Sequence, residues 1–454
     1  MRDYLLAVII IASLPIGIFR PYYGSLIYAW ISYMYPHLLA WSFVQTWPVG
    51  KVAAIGTLIG AVFNHDGDVS PLRERENILM IVLLLVFAWS SIFAFYPENA
   101  WTDWQNMAKI ILMALLTSTL LTNQKRVRYF LLVVAFSLGF YGVKGGVFSF
   151  VTGGEQRVWG PEPSIIGANN ALGLALNMCL PILWYLAKDT QPVWLKRALR
   201  VSFFLTIPSI MFTYSRASVL GLASVLLALV LKGKRKFLVI SLILAAGILV
   251  VGFLPDKWLN RQHSTVEYEK DSSAMSRLGT WEFSWRVAVD RPLTGGGFGF
   301  YSEETFAKYF PEFLDRFGSY WNSHSIYFGV LAAHGFPGLL VFLLMIGFSL
   351  ASLQRIKRAV AGREDLKWLA NYSDLIQVSY VGFLVNGAFN NMEYFDLVYH
   401  WVGVTASLKV LVYQALKKSP AQEAVPTGQM SPLPMGLSPF GGAPVRQRNV
   451  LPDA

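Results

Sequence analysis

The sequence predicts an all-helical polytopic membrane protein of about 12 transmembrane helices, on three observations. Apolar residues make up 54% of the 454-residue chain, charged ones only 14%, and the mean hydropathy is +0.45. Apolar runs of about twenty residues recur from end to end, each long enough to cross a hydrocarbon core of roughly 30 Å. Five basic clusters interrupt the runs at alternate connections: Lys125–Arg128, Lys188–Arg200, Lys232–Lys236, Arg355–Lys367 and Lys417–Lys418. Basic residues accumulate in short cytoplasmic loops, so the clusters define one face of the membrane.

The first segment, Met1 to Ile18, is apolar, and Arg20-Pro21 follows it without a small-residue cleavage pattern; it reads as a membrane segment rather than a leader. Segments 4–19, 22–45 and 49–63 read as three spans, or as a pair of spans with one re-entrant piece. Pro36 and the short third segment permit either. Spans follow at 77–95, 105–122, 129–150, 165–187, 201–214, 217–232 and 237–254, then at 323–353, 369–388 and 396–415. The loops 96–104 and 389–395 carry Glu98, Asp103 and Glu393 and no Lys or Arg, as expected on the outer side. The total is 12 or 13, with 12 and both termini cytoplasmic preferred. The chain divides into N-terminal membrane segments (1–122), central helices (123–254), an outer loop or lid (255–322), C-terminal helices (323–418) and a tail (419–454). From Ser419 onward Pro, Gly and Gln dominate without periodicity, which predicts a disordered cytoplasmic tail.

The formal charge of +11 is explained by topology and anionic headgroups, so membrane lipids rather than nucleic acid are the implied partner. The single cysteine, Cys179, excludes an intrachain disulfide and reads as packing.

Residues 255–322 are nearly neutral, with ten acids and eight Lys or Arg. Ser272-Ser273 predicts the cap of a helix running to about Val289. Met275, Leu278, Trp281, Trp285 and Ala288 recur at helical spacing and predict its apolar face. Asp290-Arg291-Pro292 ends it, and Thr294 to Gly299 (TGGGFG) follows as a flexible turn. Such a helix reads as a lid on the membrane surface.

The outer face collects the residues that carry chemistry. Arg216 follows Thr213-Tyr214-Ser215 at the start of a span, where a guanidinium fork and a helix N-terminus both favour an anion such as phosphate. The bland alternative is an interfacial arginine reaching headgroups. Arg277 and Arg286 lie on the lid helix two and a half turns apart, so only one faces a site; Arg277 is favoured. His324 begins the return into the membrane ahead of a Gly335-Phe336-Pro337-Gly338 break. A broken span lines a cavity, and a neutral imidazole there takes a proton from a hydroxyl at ambient pH. His334, nearly three turns deeper, reads as structural. Arg157 and Trp159 lie in an outer loop, Asn169-Asn170 begin the next span, and Lys144 sits near the outer end of the preceding helix. Tyr214, Lys144, Arg157 and Asn170 are candidate contacts to phosphate or sugar. No cofactor is called for. A metal site is poorly supported: Glu267, Glu269 and Asp271 offer oxygen ligands without a histidine at fixed spacing. TGGGFG lacks the Gly-Lys-Ser/Thr of a phosphate loop.

Several of these residues together resemble a known family. His324-Ser325, nine residues, then Gly335-x-x-Gly338 resembles the signature of the O-antigen ligase and polymerase superfamily of membrane glycosyltransferases. Tyr214-Ser215-Arg216-x-x-x-Leu220 resembles its second signature, and Arg277-Leu278-x-x-Trp281 with Pro292-Leu293-Thr294-Gly295-x-Gly297 the segment before the catalytic loop. Together they cover roughly residues 140–390. Arg20 to Gly24, Trp30, Ser32 to His37, Arg157 to Pro161 and Asn169-Asn170 resemble the branch of O-glycosylation ligases associated with exosortase A systems. Leu339 stands where many ligases carry threonine, a departure from the lipopolysaccharide-ligase pattern.

The resemblance implies an inverting GT-C glycosyltransferase of the bacterial inner membrane, its site facing the periplasm and generally metal-free. It would use an undecaprenyl-pyrophosphate-linked glycan donor and a glycolipid, glycan or protein acceptor. His324 would activate the acceptor hydroxyl while Arg216 and Arg277 hold the pyrophosphate. Ligase and polymerase stay open, as does a flippase or transporter of the same lipid-linked glycan. A transporter would carry basic residues along a continuous cavity and often two related halves; here charge keeps mainly to one face and the halves do not match.

Overall fold

A computed structural model describes residues 2–64, 66–233, 255 and 272–418. Within them the chain is helical and has no strand. The expected span 237–254, the acids Glu267, Glu269 and Asp271, and the tail from Ser419 lie outside the described residues.

Nine helices precede the long loop: α1 (Arg2–Phe19), α2 (Pro21–Met34), α3 (Val49–Asn64), α4 (Arg75–Ile92), α5 (Pro97–Leu120), α6 (Gln124–Val151), α7 (Asn169–Asp189), α8 (Val193–Met211) and α9 (Arg216–Leu231). The described part of the loop holds α10 (Ser272–Asp290), α11 (Glu303–Tyr309) and α12 (Pro311–Phe317). The chain then forms α13 (Ile326–Ala359), α14 (Lys367–Gly387) and α15 (Asp396–Lys418). Helices α4, α6, α7 and α13 are long and apolar enough to cross a membrane; α1, α3 and α9 are shorter and apolar. The fold is that of a multi-pass membrane protein.

Polar contacts mark the two ends of the bundle. At one end Arg126, from a basic cluster, pairs with Asp66 at 2.6 Å and stacks on Tyr22. There Lys409 bridges Glu74 and Glu76 at 2.5 and 2.8 Å. At the other end Asp396 starts α15, and its carboxylate accepts from Tyr28 at 3.1 Å. Helix α1 starts at this second end, where Asp3 accepts the Trp41 N–H at 2.8 Å. It finishes at the basic end, with Ile18 O accepting from Asn64 at 3.2 Å. Gln414 also lies at the basic end, bonded to Asp68 at 2.9 Å. The expectation that both termini share the basic side is therefore corrected.

The segment 22–45 is not one span. Helix α2 stops at Met34 because Pro36 disfavours an α conformation at Tyr35; Tyr35 turns left-handed at φ 49°, and two 3-10 turns, Pro36–Leu39 and Phe43–Thr46, follow.

Helix α13 breaks where the sequence predicts. Gly335 has φ 66° and ψ −171°, and Pro337 follows inside the helix. Pro337 has no N–H to give Ala333 O, and Phe336 N turns instead to Pro292 O at 2.9 Å. The two orphaned carbonyls are taken by the glycine run: Gly296 N donates to Ala332 O and Gly297 N to Ala333 O, both at 2.8 Å. TGGGFG is thus a fixed plug rather than a flexible turn. A Cβ on Gly295 would sit 2.5 Å from Ala332 O, and its φ of +60° already favours glycine.

The helix predicted from Ser272 forms, and its buried face matches the expected one only in part: Ala288 is buried and Met275 and Trp281 are half-buried. Phe283 and Val287 pack with Phe300, Phe306, Phe313, Ala332 and Ala333, and Ser276, Thr280 and Ser284 are buried beside them. Leu278 and Trp285 of the expected apolar face are 46% and 50% exposed. The aromatic residues of α11 and α12 claim the Phe283 side, which no periodicity within α10 itself reveals.

Candidate active site

Three non-glycine residues adopt positive φ among the described residues: Tyr35, Tyr214 and His324. Such backbone costs of order 1–3 kcal/mol and clusters at functional sites. His324, at φ 47°, lies between the end of the long loop and α13. The peptide before it is clamped by α10: Trp281 Nε1–H donates to Ser323 O at 2.9 Å, and the indole stacks on Phe328 at 5.1 Å. That clamp brings Arg277, one turn earlier on α10, into the electrostatic range of the imidazole.

The His324 ring is half-buried and its Nδ1 has no hydrogen-bond partner among the described residues. Burial first, then the Arg277 charge, push its pKa down to about 4, against a weaker opposing contact from Asn391. The imidazole is therefore neutral at ambient pH, with a lone pair to offer.

Arg216 is the first residue of α9, capped by Ser215, whose side chain accepts the Ser218 N–H at 3.3 Å. The turn before it is held from two sides. Tyr214 is buried and its hydroxyl donates to Gly154 O at 2.7 Å. Asn169 donates to Thr213 O at 2.7 Å. Next to Asn169, Asn170 exchanges hydrogen bonds with Asn390, at 3.1 Å to its side chain and 2.9 Å from it. Asn391 is the residue that contacts His324. The N-terminus of α7 thus ties the Arg216 turn to the His324 loop through four amide side chains.

The remaining candidates divide. Arg157 is exposed, lies over Trp159 at 5.5 Å and is close enough to influence Tyr214, so it borders the Arg216 turn. Arg286 is engaged elsewhere: it pairs with Glu282 at 2.5 Å, donates to Tyr309 O at 3.1 Å and lies over Phe310. Lys144 is exposed on α6, away from the face where Gly142, Gly145 and Gly146 meet α8. Neither is brought to His324. His334 is buried and bonded on both nitrogens, to Ser90 at 2.6 Å and Tyr394 at 2.8 Å.

Sequence reasoning missed three residues of the 389–395 loop. Asn390 and Asn391 complete the amide bracket. Glu393 is buried, with one carboxyl oxygen against Gly329, where a Cβ would meet it at 2.5 Å, and the other without a partner. Burial raises its pKa to about 8. The available signal was an amide pair and an acid between two apolar helices, the same pattern as Asn169-Asn170 on α7. Among the described residues no three His, Cys, Asp or Glu side chains gather as metal ligands.

Fold and site together define a multi-pass membrane protein with a polar site, one neutral histidine and two nearby arginine-bearing elements at one end of the bundle. Residues 201–343 match the O-antigen ligase family model, and residues 1–190 match a family of unknown function, DUF5935. The first match contains Arg216, Arg277 and His324 and identifies residues 201–343 as an O-antigen ligase domain, which supports the O-antigen ligase superfamily. No curated protein matches the chain.

Proposed function

We propose that the protein transfers a glycan from undecaprenyl pyrophosphate to an acceptor hydroxyl at the outer face of the bacterial inner membrane. The observation that carries this reading is His324: a neutral imidazole with an unpartnered nitrogen, clamped by the helix that bears Arg277 and tied by amides to the turn that bears Arg216. His324 takes the acceptor proton. The acceptor oxygen attacks the anomeric carbon in line, and the bond to pyrophosphate breaks with inversion. Negative charge then develops on the leaving group, where preorganised guanidinium groups are most effective. A bound pyrophosphate also offsets the Arg277 charge that depresses His324, so the base strengthens when the donor arrives. Arg157 and Trp159 border the donor, the indole offering a stacking face for a sugar. The exposed Leu278 and Trp285 of α10 fit contact with lipid, as a lid over a lipid-borne substrate requires. Nine helices α1–α9, the expected span at 237–254, and α13–α15 sum to 13 crossings, one more than preferred from sequence.

The test is transfer in vitro from a synthetic undecaprenyl-pyrophosphate glycan, with EDTA present, comparing wild type, His324→Ala and Arg216→Ala. The expected result is transfer that withstands EDTA and falls by at least about 100-fold in each variant. Full activity in both variants rejects the site. Offering a hydroxyl-bearing glycolipid, a peptide or a second lipid-linked repeat as acceptor separates ligase from polymerase. Movement of the lipid across a bilayer without transfer would instead establish a flippase.

A further inference from the structure

The third residue at positive φ, Tyr35, lies outside the site just described. It lines a cavity of about 220 Å³ at the same end of the bundle, together with His37, Trp47, Lys51, Lys109 and Asp396. The end of α2, the two 3-10 turns after it, the start of α3, the middle of α5 and the start of α15 converge there. Asp396 is 7% exposed, and its carboxylate is held by Tyr28 at 3.1 Å with Lys109 as the facing cation.

Those contacts account for Asp396, and the turn before Pro36 accounts for the Tyr35 backbone; the polar groups around them are not accounted for. The Nδ1 of His37 has no hydrogen-bond partner among the described residues. Trp47 is half-buried and Lys51 is exposed. An aromatic face, a carboxylate, an imidazole acceptor and ammonium donors around a space of this size are the chemistry of a sugar subsite. Two lysines against one carboxylate leave a single positive charge. Lysine without arginine suits a singly charged group better than a phosphate, which arginine forks match.

We propose that this cavity is a second saccharide site, taking one sugar ring that bears a carboxylate. Trp47 stacks on the ring, Lys109 and Lys51 meet its carboxylate, and Asp396 and His37 take its hydroxyl protons as hydrogen bonds. In the transfer reading, on which this role rests, the ring belongs to the glycan being joined. Asp396 is five residues from Asn391, the neighbour of His324, so the Cα atoms of these two residues lie no more than about 18 Å apart.

Saturation-transfer NMR on the full-length protein in nanodiscs reads binding without turnover. The probes are methyl glucuronide, methyl glucoside and inorganic phosphate. Glucuronide is expected to saturate, to bind at least tenfold more tightly than glucoside, and to weaken about tenfold or more in Lys109→Ala. Lys51→Ala alters an exposed rim residue and spares the Asp396 contacts, so it keeps the test decisive if Lys109→Ala misfolds. Trp47 also packs on the cluster of Ile10, Ile31 and Val49, so Trp47→Ala is read only where its unfolding midpoint matches wild type. Each should weaken binding severalfold. His324→Ala should bind as wild type does. Equal binding of glucoside and glucuronide, phosphate binding without glucuronide binding, or indifference to both rim variants would each overturn the proposal. Since no turnover is measured, such a failure leaves the transfer reading intact; lost transfer with retained glucuronide binding would strike the transfer reading alone.

Discussion

His324 and His334 stand ten residues apart on one stretch of chain, and they live in opposite circumstances. His334 is bonded on both nitrogens and packed against Phe87 and Phe298, with ring centroids at 4.0 and 4.5 Å. His324 has an unpartnered nitrogen, a strained backbone and an arginine nearby. A satisfied imidazole has nothing left to give a substrate, while an unsatisfied one keeps an acceptor nitrogen in reserve. The difference separates a histidine that builds the site from one that works in it.

Replacement is the hardest test of that contrast. His324→Ala is expected to lower transfer by 10² to 10⁴-fold, roughly the range of a lost general base, with little change in unfolding midpoint. His334→Ala should do the reverse: it strands the Ser90 and Tyr394 hydroxyls, costs about 1–3 kcal/mol, and changes the rate far less. Rates and denaturant midpoints measured side by side would collapse the contrast if the two variants behaved alike.

The break in α13 just after His334 comes next in size. A Cβ on Gly335 would meet Pro292 O at 2.5 Å at a φ of +66°, so Gly335→Ala should destabilise the protein by at least about 1 kcal/mol. A wild-type midpoint in that variant would show the break to be adaptable.

Titration sharpens the comparison further. Folded His324 has a pKa of about 4, below the ordinary value of about 6.5. Between these values the unfolded chain binds a proton that the folded one does not. Its contribution to stability is therefore complete above pH 6.5 and declines as pH falls toward 4. Glu393 works in the opposite direction: raised to about 8, it favours the fold fully below the ordinary carboxyl range and loses that contribution as pH rises through 8. Denaturant midpoints followed from pH 4 to pH 9 should lose the rise between about 4 and the ordinary imidazole value in His324→Asn, and the decline between the ordinary carboxyl range and about 8 in Glu393→Gln. Unchanged slopes in both would remove the assigned environments.

The smallest effect belongs to Arg286→Ala. Its partners Glu282 and Glu312 are 51% and 69% exposed, and exposed pairs contribute under about 1 kcal/mol. A slight loss of stability and nearly unchanged transfer are expected, against a large loss for Arg277→Ala. Equal losses of rate would return Arg286 to the site.

Features encoded within a few residues were legible in the sequence. The helix from Ser272, the break at Gly335 and Pro337 and the start of α9 at Arg216 follow from caps, prolines and periodicity. The buried face of α10 was legible only in part, because α11 and α12 decide it from outside the helix. Nor was the diversion of Arg286, which depends on Phe310 and Tyr309 arriving from a later turn. The amide bracket joins Asn170 to Asn390 across 220 positions, a pairing that no local pattern encodes. The apolar run of 22–45 continues past Pro36 while helix α2 stops at Met34, so apolar length alone does not separate a full span from a shorter helix with turns.

The glycine run that fills the gap in α13 has one more consequence. Where a membrane helix parts, its bare carbonyls attract water and cations, and many conducting proteins are built on that property. Here Gly296 and Gly297 occupy those carbonyls with peptide N–H groups. The gap is stoppered by backbone, so the helix can break without leaving bare carbonyls that would pass protons or sodium. A Pro in place of Gly296 or Gly297 would remove a stopper N–H and should show first as ion permeability in sealed vesicles.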